Sequence, residues 1–209
     1  YNTMPGIDGE VVMINDTTFS PDISLTTYRQ HIFGFDFSTA VNSFGLRAEA
    51  AFKIPVDDYE TEIFIPNPEL HYIVGLDRSF GDFSIITQYI GKYIHDYEEL
   101  TVPLDPLFML DYQLSFYNRL IYSQEEEIIH SVSVLPSVSL FYNTLNIEVF
   151  ALYNITTEEH LITPKITYNI ADALSISAGA NYFNGKNNTM YDLIENHFNT
   201  VFIELKASF

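Results

Sequence analysis

The chain has 209 residues, 47% hydrophobic, 15% aromatic and 18% charged, with a net charge of −19. That charge repels a phosphate backbone and excludes nucleic acid as a partner, while the hydrophobic share excludes a disordered chain. No run of about eighteen apolar residues occurs, so no helical membrane span is expected; a mean hydropathy of +0.04 fits strands in which every second residue is polar.

Residues 1–6 lack the basic start and apolar stretch of an export signal, which for an exported protein is removed or lies upstream. The absence of cysteine suits an envelope protein and decides nothing alone. Residues 1–27 read as an external loop. A first strand is predicted over 28–41, with Phe33, Phe35 and Phe37 on one face and Gln30, Asp36 and Ser38 on the other. Asn42-Ser43 turns it into 45–54, where Leu46, Ala48, Ala50 and Phe52 alternate with Arg47, Glu49 and Lys53. A long acidic loop, 55–69, follows. The strand over 70–80 sets Leu70, Tyr72, Val74 and Leu76 against His71, Gly75 and Asp77. Gly81-Asp82 leads into 83–94, with Ser84, Gln88 and Lys92 on the polar side.

Residues 95–126 read as a long outer loop containing a helix. Asp105 before Pro106 is a capping side chain ahead of a proline at the first helical position, and Leu107, Leu110, Leu114, Tyr117, Leu120 and Ile121 recur at helical spacing. One further hairpin is the rival reading. A strand over 127–142 alternates valines with Ser131, Ser133, Ser137 and Ser139, and Asn143-Thr144 turns it into 145–154, where Glu148 is polar-side. The strand over 161–170 carries Lys165 and a proline, Pro164, which predicts a bulge or a free edge. Ala171-Asp172 leads to 174–183, then a short helix over 190–195. The last strand, 197–209, puts Val201, Ile203, Leu205, Ala207 and Phe209 on one face and Glu204 and Lys206 on the other.

Tight turns at one end and long acidic loops at the other, between strands of alternating polarity, predict an all-β antiparallel transmembrane β-barrel. Its apolar faces meet outer-membrane lipid and its polar faces line a hydrated lumen. The turn end is expected in the periplasm. Nine strands is an odd number, whereas bacterial single-chain barrels use even ones, so the chain reads as the C-terminal part of a larger barrel. The expected lumen-lining groups are Asp36, Arg47, Glu49, Lys53, His71, Asp77, Lys92, Glu148, Lys165, Glu204 and Lys206, in which acidic and basic groups balance. The net charge then sits in the outer loops, at Glu98-Glu99, Glu125-Glu126-Glu127 and Glu158-Glu159 among others. Such a rim favours cations near the mouth. Solvated loops are the simpler reading of these runs, and sites for divalent cations the second. Tyr72, Tyr93, Tyr153 and Tyr182 near the outer ends, with Phe80, Phe83, Tyr142 and Phe209 at the other, read as two interfacial girdles.

No metal-ligand spacing occurs among the six histidines, and no phosphate loop, dinucleotide fingerprint or nucleophile elbow is present. The expectation is therefore a protein without cofactor, metal or catalytic site. Ion pairing explains Asp36, Glu49 and Asp77 beside Arg47 and Lys53 better than an acid–base pair does.

The segments 46–52, 74–78 and 87–90, together with 117–122, 164–168 and 172–174, resemble the C-terminal half of a family of large, mostly uncharacterised porin-like outer-membrane proteins of Gram-negative bacteria. The likeness covers most of 44–209 and rests on strand-and-turn patterns. It implies a single-chain barrel of more than nine strands that passes solutes or houses a partner; no functional residue carries over. The terminal strand, through Val201, Ile203, Leu205 and Phe209, resembles the signal read by barrel-assembly machinery, although Glu204 stands where glycine is common. The function expected is a passive outer-membrane channel with a mild cation preference. A non-conducting scaffold around a periplasmic, secretion or electron-transfer partner is the alternative. A soluble β-sandwich would instead need Phe33, Phe35, Leu46 and Ala48 packed in a core.

Overall fold

The computed structural model of the chain describes residues 5–15 and 18–207 and, for 11–15 and 18–19, the backbone alone. Its strands are β1 (Pro5–Asn15), β2 (Thr18–Thr27), β3 (Gln30–Val41), β4 (Phe44–Pro55), β5 (Glu69–Phe80), β6 (Phe83–Ile94), β7 (Ile128–Leu140), β8 (Leu145–Asn154), β9 (Glu159–Ala171), β10 (Leu174–Asn184) and β11 (Thr200–Ala207). Helix α1 spans Met109–Tyr122 and α2 spans Met190–Phe198. Nine strands form one antiparallel sheet in the order β11-β10-β9-β8-β7-β6-β5-β4-β3, and β1-β2 form a second. Every hairpin in the large sheet joins sequence neighbours, a simple meander. Among the described residues it has two edges, β3 and β11, and does not close on itself.

The chain packs as two compact units. One contains residues through 34, with 51–71 and 92–128; the other contains 35–50, 72–91 and 129–209. In the first unit, the stretch expected as an external loop has regular structure at residues 5–15 and 18–27. They hold an antiparallel hairpin whose register runs from Pro5↔Thr27 to Asn15↔Thr18. The sequence hides it because the polar residues Asp8, Gly9, Glu10 and Asp22 break the alternation on which strand detection depends. The helix expected between 105 and 122 is present and the rival hairpin is not. The Asp105 carboxylate accepts the Leu107 N–H at 3.0 Å, and Pro106–Phe108 form a 3-10 turn leading into α1. Ser123, with φ of 49°, ends α1 in the left-handed conformation more usual for glycine.

In the second unit, the β8–β9 register is unbroken from Leu145↔Tyr168 to Asn154↔Glu159. No bulge stands at Pro164, since Val149 pairs with Pro164 and the β9–β10 register is the same on either side of it. The β9–β10 pairing passes from Gly179↔Lys165 to Tyr182↔Ile162 with no pair at Pro164, and this is the locally free edge, the other expectation. The irregularity falls instead between Leu174 and Ser175. A proline is tolerated because only its own missing N–H is lost from the ladder. The two-residue turn expected at Asn143-Thr144 is a four-residue one. β7 stops at Leu140, and Phe141, Tyr142 and Asn143 all have positive φ, at 53°, 59° and 66°. Elsewhere Asn42 and Gly81 supply the positive φ of their tight turns, at 56° and 62°. α2 runs three residues past its expected end, so the last strand starts at Thr200.

Candidate functional site

Strand alternation sorts the large sheet into two faces of opposite chemistry. One face carries Asp36, Arg47, Glu49, Lys53, His71, Asp77, Lys92, Glu148, Lys165, Glu204 and Lys206, joined by Glu69 and Glu159. In the second unit, contacts and pairings place several of these residues on a common side. Arg47 lies 3.5 Å from Asp77. Ser84 bonds Ser137 at 2.6 Å and Ser133 bonds Gln88 at 3.1 Å. Glu148 lies opposite Lys165 and opposite Ser137, and Ser177 lies between Thr167 and Glu204.

The other face carries no Asp, Glu or Lys on any of the nine strands, and Arg78 is its one arginine. It is not packed away. Val201, Ile203 and Leu205 are 84%, 76% and 68% exposed, and Phe33 and Phe35, which a sandwich would bury, are exposed too. Phe209 lies outside the described residues. At one end of this face, rings follow one another from strand to strand. Tyr72 lies 6.1 Å from Tyr89, which stacks on His130 at 5.9 Å and bonds its Nδ1 at 2.6 Å. Tyr153 pairs with His160 in register, and His160 lies 5.9 Å from Tyr182. A Cβ on Gly91 would strike the Tyr72 ring, so glycine there lets the ring lie flat. Near the tight turns, Arg78 sits 4.4 Å from the rings of both Phe44 and Phe80, and Phe80 lies 6.3 Å from Phe83. Tyr142 is fully exposed in its turn. The sequence found most of these tyrosines and phenylalanines, and missed Tyr89, His130, His160 and Arg78 as their neighbours.

In the first unit the polar face holds a buried ionic centre. Glu69, with a side chain only 7% exposed, meets Lys53 at 2.7 Å and Lys92 at 3.0 Å. Gln124 Nε2 donates to its second oxygen at 3.0 Å, and Lys92 donates to the Tyr122 carbonyl at 2.6 Å. Burying such a carboxylate is tolerable only with partners at every lone pair. The amide of Gln124 also pairs with both backbone groups of Asn67, at 3.0 and 2.9 Å. Tyr122 Oη donates to the Phe64 carbonyl at 2.8 Å, and a Cβ on Gly6 would collide with both groups. These contacts fix α1 over the Glu69 centre. The ion pairing expected among Asp36, Glu49, Asp77, Arg47 and Lys53 thus resolves into Arg47 with Asp77 and Lys53 with Glu69. Glu69 falls at the end of the acidic loop expected over 55–69, yet it opens β5 in phase with His71 and Asp77.

In the second unit the buried Glu159 holds α2. Its Oε1 accepts the Tyr191 N–H at 2.7 Å, in the first turn of that helix, where a negative charge is favoured. The acidic loops pair locally. Arg29 meets Asp57 at 2.8 Å, Lys186 meets Glu158 at 3.0 Å and the Tyr59 hydroxyl donates to Asp96 at 2.9 Å. The Arg29 guanidinium and N–H hold the Asp57 carboxyl below its ordinary range. Among the described residues no three His, Asp or Glu side chains are grouped to hold a metal ion. Compared with models of known protein families, with curated proteins and with solved structures, the chain matches none.

Proposed function

We propose that this sheet is a sector of an outer-membrane β-barrel that passes small solutes passively, with a mild preference for cations. The observation that carries this reading is the inversion of the sheet. Its exposed face is free of Asp, Glu and Lys and is bordered by aromatic rows, while its other face carries the charges. Hydrocarbon suits the first and water the second. On β5 the span from Tyr72 to Phe80 is roughly 26 Å of strand at ~3.3 Å per residue. Tilted by about 40°, that is roughly 20 Å of height, near the ~25 Å apolar band of such barrels. Arg78 suits the headgroup level, where its stem lies on Phe44 and Phe80 and its charge reaches water. In this reading the open edges β3 and β11 pair with further strands, since exposed edges of this length invite pairing.

The test is conductance of the purified protein in planar bilayers. Stepwise currents with modest cation selectivity are expected, and a barrel sealed under every condition overturns the channel. A second reading has its own support: Tyr122 and Gln124 tie the end of α1 to the Glu69 centre on the polar face, a position that in a barrel would narrow the lumen. A scaffold barrel of that kind would conduct little and would co-purify with a partner.

A further inference from the structure

A small, partly open cavity lies beside Tyr28 and Tyr122 in the first unit, walled also by Gln30, Lys53, Asn67, Glu69 and Lys92. Its volume is about 80 Å³ of space open to a water-sized sphere, against the roughly 10–15 Å³ that one water needs on that measure. Two independent features describe what belongs there.

The first is charge. Lys53 and Lys92 share one carboxylate, Glu69, so the walls carry one positive charge without a counter-charge. Nothing else lining the cavity supplies one: burial pushes the Tyr28 phenol up to about 12 and the Tyr122 phenol higher still, and Asn67 and Gln30 are neutral. His71, the next residue on this face of β5, adds no negative charge. The second is an orphan donor. Gln30 is 9% exposed, and its Nε2 has no acceptor. An unmet donor that deep is rare and calls for a partner.

We propose that this cavity binds one small monovalent anion of halide size, held by Gln30 Nε2 and the spare protons of Lys53 and Lys92. A water molecule satisfies Gln30 but leaves the charge unbalanced. A halide ion fits the space, and its single charge balances that of the walls. The site sits beside Tyr122, so an occupant ties α1 to the ionic centre. The inference does not depend on whether the protein conducts.

The experiment compares thermal unfolding of the full chain, in the detergent used to purify it, in chloride and in gluconate at equal ionic strength. Chloride and bromide are expected to raise the midpoint by about 2–4 °C over gluconate at saturating halide. The difference disappears in Gln30→Met and persists in Lys165→Met, a change on the same face in the other unit. Chloride-35 NMR of the unsubstituted protein keeps the test open if Gln30→Met fails to fold: line broadening that bromide reverses is expected. Equal midpoints in chloride and gluconate, or an unbroadened chloride line, overturn the proposal and leave water as the occupant.

Discussion

Asn118 holds Ile7 as a neighbouring strand would. Its Oδ1 accepts the Ile7 N–H at 2.7 Å and its Nδ2 donates to the Ile7 carbonyl at 2.7 Å. The same Nδ2 reaches the Ile63 carbonyl at 3.0 Å. One side chain of α1 thus satisfies backbone groups of β1 and of the loop before β5. Replacing it by Leu keeps the bulk and orphans three backbone groups, each costing about 1–3 kcal/mol where water cannot reach. Asn118→Leu is expected to speed amide exchange across 5–10 and 60–65 by more than tenfold. Exchange in β8 and β9 stays unchanged, and unaltered protection of Ile7 would refute the clip.

Glu69 is the acid on which two ammonium groups depend. With side chains 7%, 13% and 29% exposed for Glu69, Lys92 and Lys53, removing the carboxylate strands buried positive charge. The cost of breaking such a pair is about 3–5 kcal/mol, and the partial exposure of Lys53 puts this case near the lower figure. Glu69→Gln is therefore expected to lower unfolding stability by about 3 kcal/mol. Adding Lys92→Met should restore a large part of that. A double-mutant cycle in urea measures the coupling; additive losses would mean the three charges do not act as one centre.

The orientation of the sheet is tested by two adjacent residues on β11. Ile203 faces Ala178 on the apolar side and Glu204 faces Ser177 on the polar side. An arginine at the lipid face near the bilayer midplane costs about 2–4 kcal/mol. Ile203→Arg should lose that much in lipid vesicles, while Glu204→Gln changes stability by no more than about 0.5 kcal/mol. If Ile203→Arg leaves the protein equally stable and freely soluble without detergent, the apolar face does not meet lipid.

Period-two alternation made most of the large sheet legible, because strands such as β6 and β8 keep their charged and amide side chains on one side only. Their bounds, Phe83–Ile94 and Leu145–Asn154, coincide with those expected. The helix was legible through Asp105, which caps the 3-10 turn leading into it. Long-range partnership was not legible. Nothing near Asn118 in the chain marks it as a clip for Ile7, 111 residues away. Glu69 and Glu159 were lost for a simpler reason: each begins a strand directly after an acidic or polar loop, and composition assigned them to the loop. Phase with His71 and with Lys165 was the signal that placed both. Closure of the sheet is a property of its edges, and periodicity within single strands does not report on it.

The rings of Tyr28 and Tyr122 meet edge to face at 5.8 Å, and that burial has an alkaline consequence. Removal from water, and secondly the negative charge of Glu69, push the Tyr28 phenol from 10.0 up to about 12. The folded state therefore keeps a proton that the unfolded chain gives up. This contribution to stability is fully present below about pH 10, and it declines as pH rises from there through about 12. Burial, and then its neighbour Tyr28, push Tyr122 in the same direction, so the two losses reinforce each other. Near-ultraviolet phenolate absorbance should show a late-ionising fraction that Tyr28→Phe reduces. In Glu69→Gln, which removes the second cause, the Tyr28 share of that fraction should move to lower pH. Stability measured against pH should stay flat from neutrality to about 10 with respect to these groups and then fall, less steeply in Tyr28→Phe. If all the tyrosines of the folded protein ionise together near 10, the packing of Tyr28 against Tyr122 is wrong.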